Sequence, residues 1–511
     1  MYCYGTPSKR MEESVSRIHL RQAARQVVTL ALGAAVLGVA PAGSVTLAGA
    51  SLPTPGPTVG EYQFLAASTT PPTEANCFSV GRRCFTPTSI QNSYNLPPLY
   101  DGDKNQGQGV TVAIIDSFGN PNMAADLGNF NTQMGLPHMC GEPGATCTSG
   151  MPTFQHLYWN GKTQVKDAPP GSNGTGQQTR NIWALETALD VEWVHSIAPK
   201  ASILNVTTNP AETLGVQGFT SMMDAEQFIV DHHQATVISQ SFGAAEETFG
   251  SVQSLLNLRH AFAAAAADGV TVLASSGDGG SANTLKTPVS NPVTVPYPTV
   301  IWPASDPLVT ATGGTYLCTD PVTGTGVDST DPPVNCQSNP GVREVGWIAS
   351  GGGFSHIFDK PSYQGSLPAG STAIGATRGV PDIAYNASSR TGVLVYDTAP
   401  GDADRGLVCP SGDPCSAGWY VVGGTSASAP QWAGLVAIAD QLAGHGLGLI
   451  NPALYTLGSG PNYGTYFYDV TTGNNQADPS IPGYPATTGW DPVTGLGTPN
   501  AATLVPALAS S

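Results

Sequence analysis

Residues 110–116 read VTVAIID, from Val110 to Asp116, a continuous apolar run that ends in a carboxylate. Such a run suits a strand buried on both faces, as in a parallel sheet covered by helices. The pattern repeats outward from it. Asn181 to Val194 carries apolar residues at helical spacing, Ser202 to Val206 is a second apolar strand, and a helix is predicted through Met222 to Val230. Thr236 to Ser241 (TVISQS) and Val270 to Ser275 add strands, with a helix expected from about Ser251 to Ala267 between them. A last long helix spans about Ala427 to Leu442, and the tail from Pro452 reads as loop-rich. Strands alternating with helices in this way predict an α/β fold, with a mostly parallel central sheet and helices on both faces.

Four groups of residues carry chemistry. Gly424-Thr-Ser-Ala-Ser-Ala-Pro430 opens the last helix. Gly423 and Gly424 allow close backbone approach, and a helix N-terminus favours negative charge developing near Ser426. The bland alternative is a serine that caps a helix. A nucleophilic serine needs a base, usually histidine, but no His-Gly-x-His segment occurs. The best-placed partners are Glu186 and Asp190 in Glu186-Thr-Ala-Leu-Asp190. Four residues apart on a helix, they share a face and would share protons. An isolated pair at this spacing is more often a solvated acidic face. Asp278, in Ser275-Ser-Gly-Asp-Gly-Gly280, follows a buried strand, where α/β sites lie. Protonated, it could donate to an oxyanion; otherwise it is a turn aspartate. A carboxylate base together with a protonated acid points to a serine hydrolase built for acid. Asp469-Val470 and Gly489-Trp490-Asp491 offer hard oxygen ligands for calcium without an EF-hand pattern.

In this order and spacing the segments resemble the sedolisins, serine-carboxyl peptidases with a subtilisin-like fold. The resemblance covers roughly Phe85 to Ala507. Ala113 to Asn120 (AIIDSFGN), Ser239 to Gly243 (SQSFG), Gly351 to Gln364 and Arg378 to Tyr385 (RGVPDIAY) also look similar. The resemblance implies Ser426 as nucleophile, Glu186 as general base and then acid, Asp190 as its orienting partner, and Asp278 as the oxyanion-hole acid, aided by the Ser426 amide. It implies that Ser239, Ser241 and Gly243 pair with substrate backbone along an exposed edge. It also implies one structural calcium ion, held by the side chains of Asp469 and Asp491 and the carbonyls of Val470, Thr487 and Gly489. Thr487 departs from the glycine often found there. Polypeptide would be the substrate, cleaved internally or as tripeptides from free N-termini.

The chain has 511 residues, 40% hydrophobic and 11% charged, with a formal charge of −17 from 19 basic and 36 acidic residues. That surface argues against nucleic acid and anionic membranes. Lys9, Arg10, Arg17, Arg21 and Arg25 precede the apolar run Val27 to Val39, so residues 1–50 read as a secretory signal. A membrane anchor is the rival, but Pro41 and Gly43 interrupt the run. Residues 51–84 read as a flexible leader, too short for the long propeptide usual in the family, and residues 85–511 as the peptidase domain. After the signal the cysteines fall in close pairs, Cys77/Cys84, Cys140/Cys147, Cys318/Cys336 and Cys409/Cys415, which suits disulfides of an exported monomer better than zinc. Two rival functions remain: a subtilisin-type triad using Asp116, which lacks its histidine, and a catalytically inactive, secreted peptide-binding relative.

Overall fold

A computed structural model of the protein describes residues 61–167, 180–208, 216–285, 293–399 and 416–511. All of these lie in one contact unit, Leu52–Ser511. The predicted signal, the first ten residues of the leader and the Cys409/Cys415 pair fall outside the described residues. The elements used below are β1 (Tyr62–Ala66), β2 (Thr111–Ser117), α1 (Arg180–Ile197), β3 (Ser202–Thr208), α2 (Val216–Asp231), β4 (Val237–Gln240), β5 (Thr271–Ser275), β6 (Thr310–Leu317), β7 (Ile383–Asn386), β8 (Thr391–Asp397), β9 (Gly418–Val422) and α3 (Thr425–Ala443).

The main sheet runs β6-β5-β4-β2-β3 at its centre and continues past β3 into Phe154–Trp159. These neighbours are parallel, and β7 adds in parallel to β6. Short antiparallel strands, Glu344–Gly346 and Gln164–Val165, close the two ends. The apolar run that predicted a doubly covered strand divides its side chains by parity. Val112 and Ile114 join one core with Leu185 and Leu189 of α1 and Trp432 and Leu435 of α3. Ala113 and Ile115 join the other with Phe219, Met222 and Ile229 of α2. This is the subtilisin-like, helix-covered sheet expected from the sequence. α1 and α3 press together closely, because a Cβ on Gly434 would lie 2.7 Å from the Ile197 Cβ. That contact brings the carboxyl-bearing helix against the serine-bearing one.

Four expectations change. The helix expected over 251–267 is broken into Val252–Leu256 and His260–Ala267. Between them Arg259 turns to clasp Asp306 at 2.5 and 2.8 Å. The tail contains helices at Asn451–Ser459, Tyr463–Tyr466 and Ala501–Ala509, the last burying Ala501, Leu504, Val505 and Leu508. Residues 61–84 are ordered rather than a flexible leader: β1 extends the sheet of β9, β8 and Arg83–Phe85, and Glu74–Ser79 is a capped helix. Main-chain pairing to an open strand edge orders a segment whose composition carries no such signal. The fourth change concerns β4. It lies between β2 and β5, with Ser239 opposite Ile114 on one side and Leu273 on the other, so Ser239 offers no exposed edge to a substrate, while Ser241 and Gly243 lie past the end of the strand. Disulfides join Cys77–Cys84, Cys140–Cys147 and Cys318–Cys336 as paired in the sequence.

Candidate active site

β9 is buried along its length and is followed by Gly423 and Gly424. A Cβ on Gly423 would stand 2.1 Å from the Ser389 amide nitrogen, and Gly424 has φ +115°. Only glycine fits that pair of positions. α3 then starts at Thr425 and puts Ser426, fully buried, in its first turn. Pro430 follows on the same helix and lacks the N–H that would have bonded the Ser426 carbonyl.

Glu186 and Asp190 project from α1 and are fully buried. Burial drives the Glu186 carboxyl well above its ordinary pKa, and the charges of Asp190, Asp116 and Asp278 add to this. The neighbouring Ser426 hydroxyl pulls in the opposite direction. Asp190 is likewise raised by burial and by Asp116, while Ser241 Oγ donates to its Oδ1 at 2.8 Å. Asp116, at the carboxyl end of β2, is pushed up to about 7 by burial, opposed by the Asn205 amide at 2.8 Å. The neighbours that set these values are carboxyls, hydroxyls and an amide. The described histidines have their own partners elsewhere: His138 with Glu142, His156 with Thr207, His195 with the Pro137 carbonyl, His232 with the Phe228 carbonyl, His233 with Asp268, His260 with Asp224, His356 with Glu247, and His445 with the Gly446 carbonyl.

Asp278 is half-buried in the loop after β5 and docks onto the start of α3. Its Oδ1 accepts from the Thr425 amide at 2.7 Å and from Thr425 Oγ1 at 2.9 Å, and Thr425 Oγ1 accepts from the Gly277 amide at 2.9 Å. Ser426, Glu186, Asp190 and Asp278 therefore converge from α3, α1 and the β5 loop. Of the three residues assigned to substrate backbone, Ser239 is locked in the sheet and Ser241 serves Asp190. Gly243 lies against Ile301, whose Cδ1 would be 2.4 Å from an added Cβ. Asp116 and Thr425 were not assigned to this site, and Ser241 was assigned to substrate backbone rather than to Asp190. A strand ending in a carboxylate was the one available signal, and it pointed to a different triad.

The residues assigned to calcium also come together. The Gly489 amide donates to Asp469 at 3.1 and 3.2 Å, and the Thr487 amide donates to Asp491 Oδ2 at 2.9 Å. Burial pushes Asp491 up to about 7 and raises Asp469. An all-oxygen set with two carboxyls held against their preference for charge fits a hard cation. By contrast, the cluster Glu74, Cys77 and Cys84 does not, since its cysteines form a disulfide.

A second group of buried acids gathers around Glu192, on another face of α1. The Tyr396 amide donates to Glu192 at 3.0 Å, and Asn120 Nδ2 bridges Asp126 and Asp397 at 3.1 Å each. Burial raises all three, Asp126 to about 6 and the others well above the carboxylate range. Asp440, against Thr236, is raised by burial to about 7. A carboxyl whose folded-state pKa is raised contributes stability that is complete below its unfolded-state pKa, roughly 4. That stability is lost as pH climbs through the folded value. The protein is therefore expected to be most stable in acid and to lose stability from about pH 4 through 7 and above. Melting temperature followed from pH 3 to 9 checks this; a Tm that rises toward neutral pH would contradict it.

Comparison with known proteins gives a consistent picture. Residues 107–448 match the profile described as the Subtilase family. Kumamolisin from Bacillus sp. (strain MN-32) is 30% identical over 442 residues, covering 86% of this chain and 66% of its own. Tripeptidyl-peptidase 1 from Homo sapiens is 31% identical over 336 residues, 64% of this chain and 52% of its own. The chain thus spans between about half and two thirds of these relatives. Among solved structures, Pseudomonas sedolisin complexed with pseudo-iodotyrostatin aligns with a TM-score of 0.60 at 25% identity. The alignment covers 84% of this chain and 99% of that one.

Proposed function

The chain belongs to the sedolisin branch of the subtilase family, and on that premise we propose that it is a secreted, acid-active serine-type peptidase that hydrolyses peptide bonds. The observation that carries this reading is the group of buried carboxyls, Glu186, Asp190 and Asp116, gathered beside Ser426. Ser426 Oγ attacks the scissile carbonyl carbon while Glu186 takes its proton. Asp190, fixed by Ser241, orients Glu186 and disperses the shared charge. Oδ1 of Asp278 is occupied by Thr425, so a proton on this carboxyl sits on Oδ2, from which it donates to the oxyanion beside the Ser426 amide. Glu186 then gives its proton to the leaving amine, and water releases the acyl group by the same steps in reverse.

Glu186, Asp190 and Asp116 lose protons stepwise as a group. Glu186 becomes a base when the group gives up its first proton, while Asp278 must keep its own. Because burial raises these carboxyls, activity on denatured protein and quenched peptides is expected on the acid side of neutrality, rising as the group gives up its first proton and lost near pH 8, where Asp278 is ionised. A peak near pH 8 would assign the base to a histidine. Absence of hydrolysis at every pH in a folded sample would favour an inactive peptide-binding relative. The disulfides support an exported location, and among the described residues no helix is long and apolar enough to cross a membrane. The proposed assembly is a monomer, and the cut is either internal or the release of tripeptides.

One calcium ion is proposed at Asp469 and Asp491, with carbonyls of Val470, Thr487 and Gly489. It would neutralise the two carboxyls and tie the loops 469–470 and 487–491 together. With free calcium 100-fold above its Kd, this contributes about 2.7 kcal/mol to folding. Chelation is expected to lower Tm, and calcium, not magnesium, to restore it. A Tm indifferent to chelation would remove the ion from the account.

A further inference from the structure

β1 pairs antiparallel with β9, Tyr62 opposite Val422, and β9 is the strand that delivers Gly423, Gly424, Thr425 and Ser426. Because β9 runs toward the serine, β1 approaches that turn as it is traced backwards from Ala66. At its end, the Gly423 amide donates to the Glu61 carbonyl at 3.0 Å. The Glu61 carboxylate accepts from Ser389 Oγ at 2.6 Å and from Arg82 Nη1 at 3.3 Å. Arg82 Nη1 also reaches Ser389 Oγ at 2.6 Å, and Arg390 Nε stands 3.8 Å from Glu61. Ser389 belongs to the loop that grips the turn from the other side, where the Gly424 amide donates to the Ala387 carbonyl at 2.5 Å. The far end of the segment is fastened too. Cys77 and Cys84 are joined, Glu74 Oε2 accepts from the Cys84 amide at 3.1 Å, and Arg83 donates to the carbonyls of Pro332, Thr319 and Asp328 at 2.6, 3.0 and 2.6 Å.

We propose that residues 61–84 are a strap that holds the nucleophile turn in place, with Glu61 and Ser389 as positioning residues for Ser426. Two consecutive glycines give the turn its shape and also its freedom. The strap and the 387–390 loop remove that freedom from opposite sides, and serine attack depends on placement to a fraction of an ångström. The kinetic consequence rests on the peptidase reading; the structural one does not.

The test uses the full chain with Ser389→Ala, Glu61→Ala, Glu61→Gln and Gln63→Pro, the last removing an N–H from the strand paired to Val421. Kinetics are expressed per active site, titrated with a peptide aldehyde, and amide hydrogen exchange is read over residues 419–428 and, as a control, 271–275. Gln63→Pro and Ser389→Ala are expected to lower kcat roughly tenfold or more, with KM within about twofold. Exchange should quicken over 419–428 and stay unchanged over 271–275. Glu61→Gln keeps an acceptor for Ser389 and is expected to behave like the parent, unlike Glu61→Ala. Unchanged exchange over 419–428 in both Gln63→Pro and Ser389→Ala overturns the strap. Faster exchange with unaltered kcat per site overturns the positioning role. If the parent hydrolyses nothing at any pH, the peptidase reading fails, and exchange alone still decides whether the strap holds the turn.

Discussion

Ser426→Ala and Glu186→Gln are each expected to lower kcat by roughly ten-thousand-fold or more at every pH where the parent is active. Without the hydroxyl there is no acyl-enzyme, and without the Glu186 carboxylate the base beside the Ser426 hydroxyl is gone. The two variants should differ in stability. Glu186 is buried with Asp190, Asp116 and Asp278 as its charged neighbours, all of which oppose its ionisation. Glutamine keeps the shape and removes that repulsion, so Glu186→Gln should melt at or above the parent temperature, with the gain growing as pH rises. Activity lost together with stability would mean that Glu186 serves the fold instead. Peptide hydrolysis and thermal melts at pH 4 and pH 7 separate these outcomes.

Asp278→Ala is expected to cost about 10²–10³ in kcat with a smaller change in KM, the usual effect of losing one oxyanion donor. Part of that loss would come from Thr425, whose amide and hydroxyl both bond Asp278 Oδ1. Asp278→Asn separates the parts. An asparagine oxygen can hold Thr425, and its amide donates at any pH. This variant should therefore keep more activity than alanine and extend hydrolysis to higher pH. A profile for Asp278→Asn that matches the parent's in shape, or a complete loss equal to alanine's, would count against a protonated Asp278 as the donor.

The readable parts were those set by short-range pattern. The VTVAIID run predicted its own burial, and Val112 and Ala113 do face different cores. The spacing of Glu186 and Asp190 put both on one helical face. Close cysteine pairs foretold three loops held by disulfides. The misread parts depended on partners distant in sequence. Ser239 looked like a strand edge until β2 and β5 flanked it. Residues 61–66 looked like a leader because nothing in their composition announces that β9, some 350 residues on, has an open edge.

The sequence by itself therefore determined the layered α/β architecture, the serine at a strand-to-helix turn, and the absence of a histidine motif to serve it. These follow from residue size, period and local backbone freedom, all of which act over a few positions. Only the tertiary structure decided what the carboxyls are worth. Glu186, Asp190 and Asp116 are ordinary acids in a list of residues. They acquire raised pKa values because α1, α3 and β2 enclose them together away from water. Desolvation and charge repulsion depend on distances between groups far apart in the chain, and packing is what sets those distances.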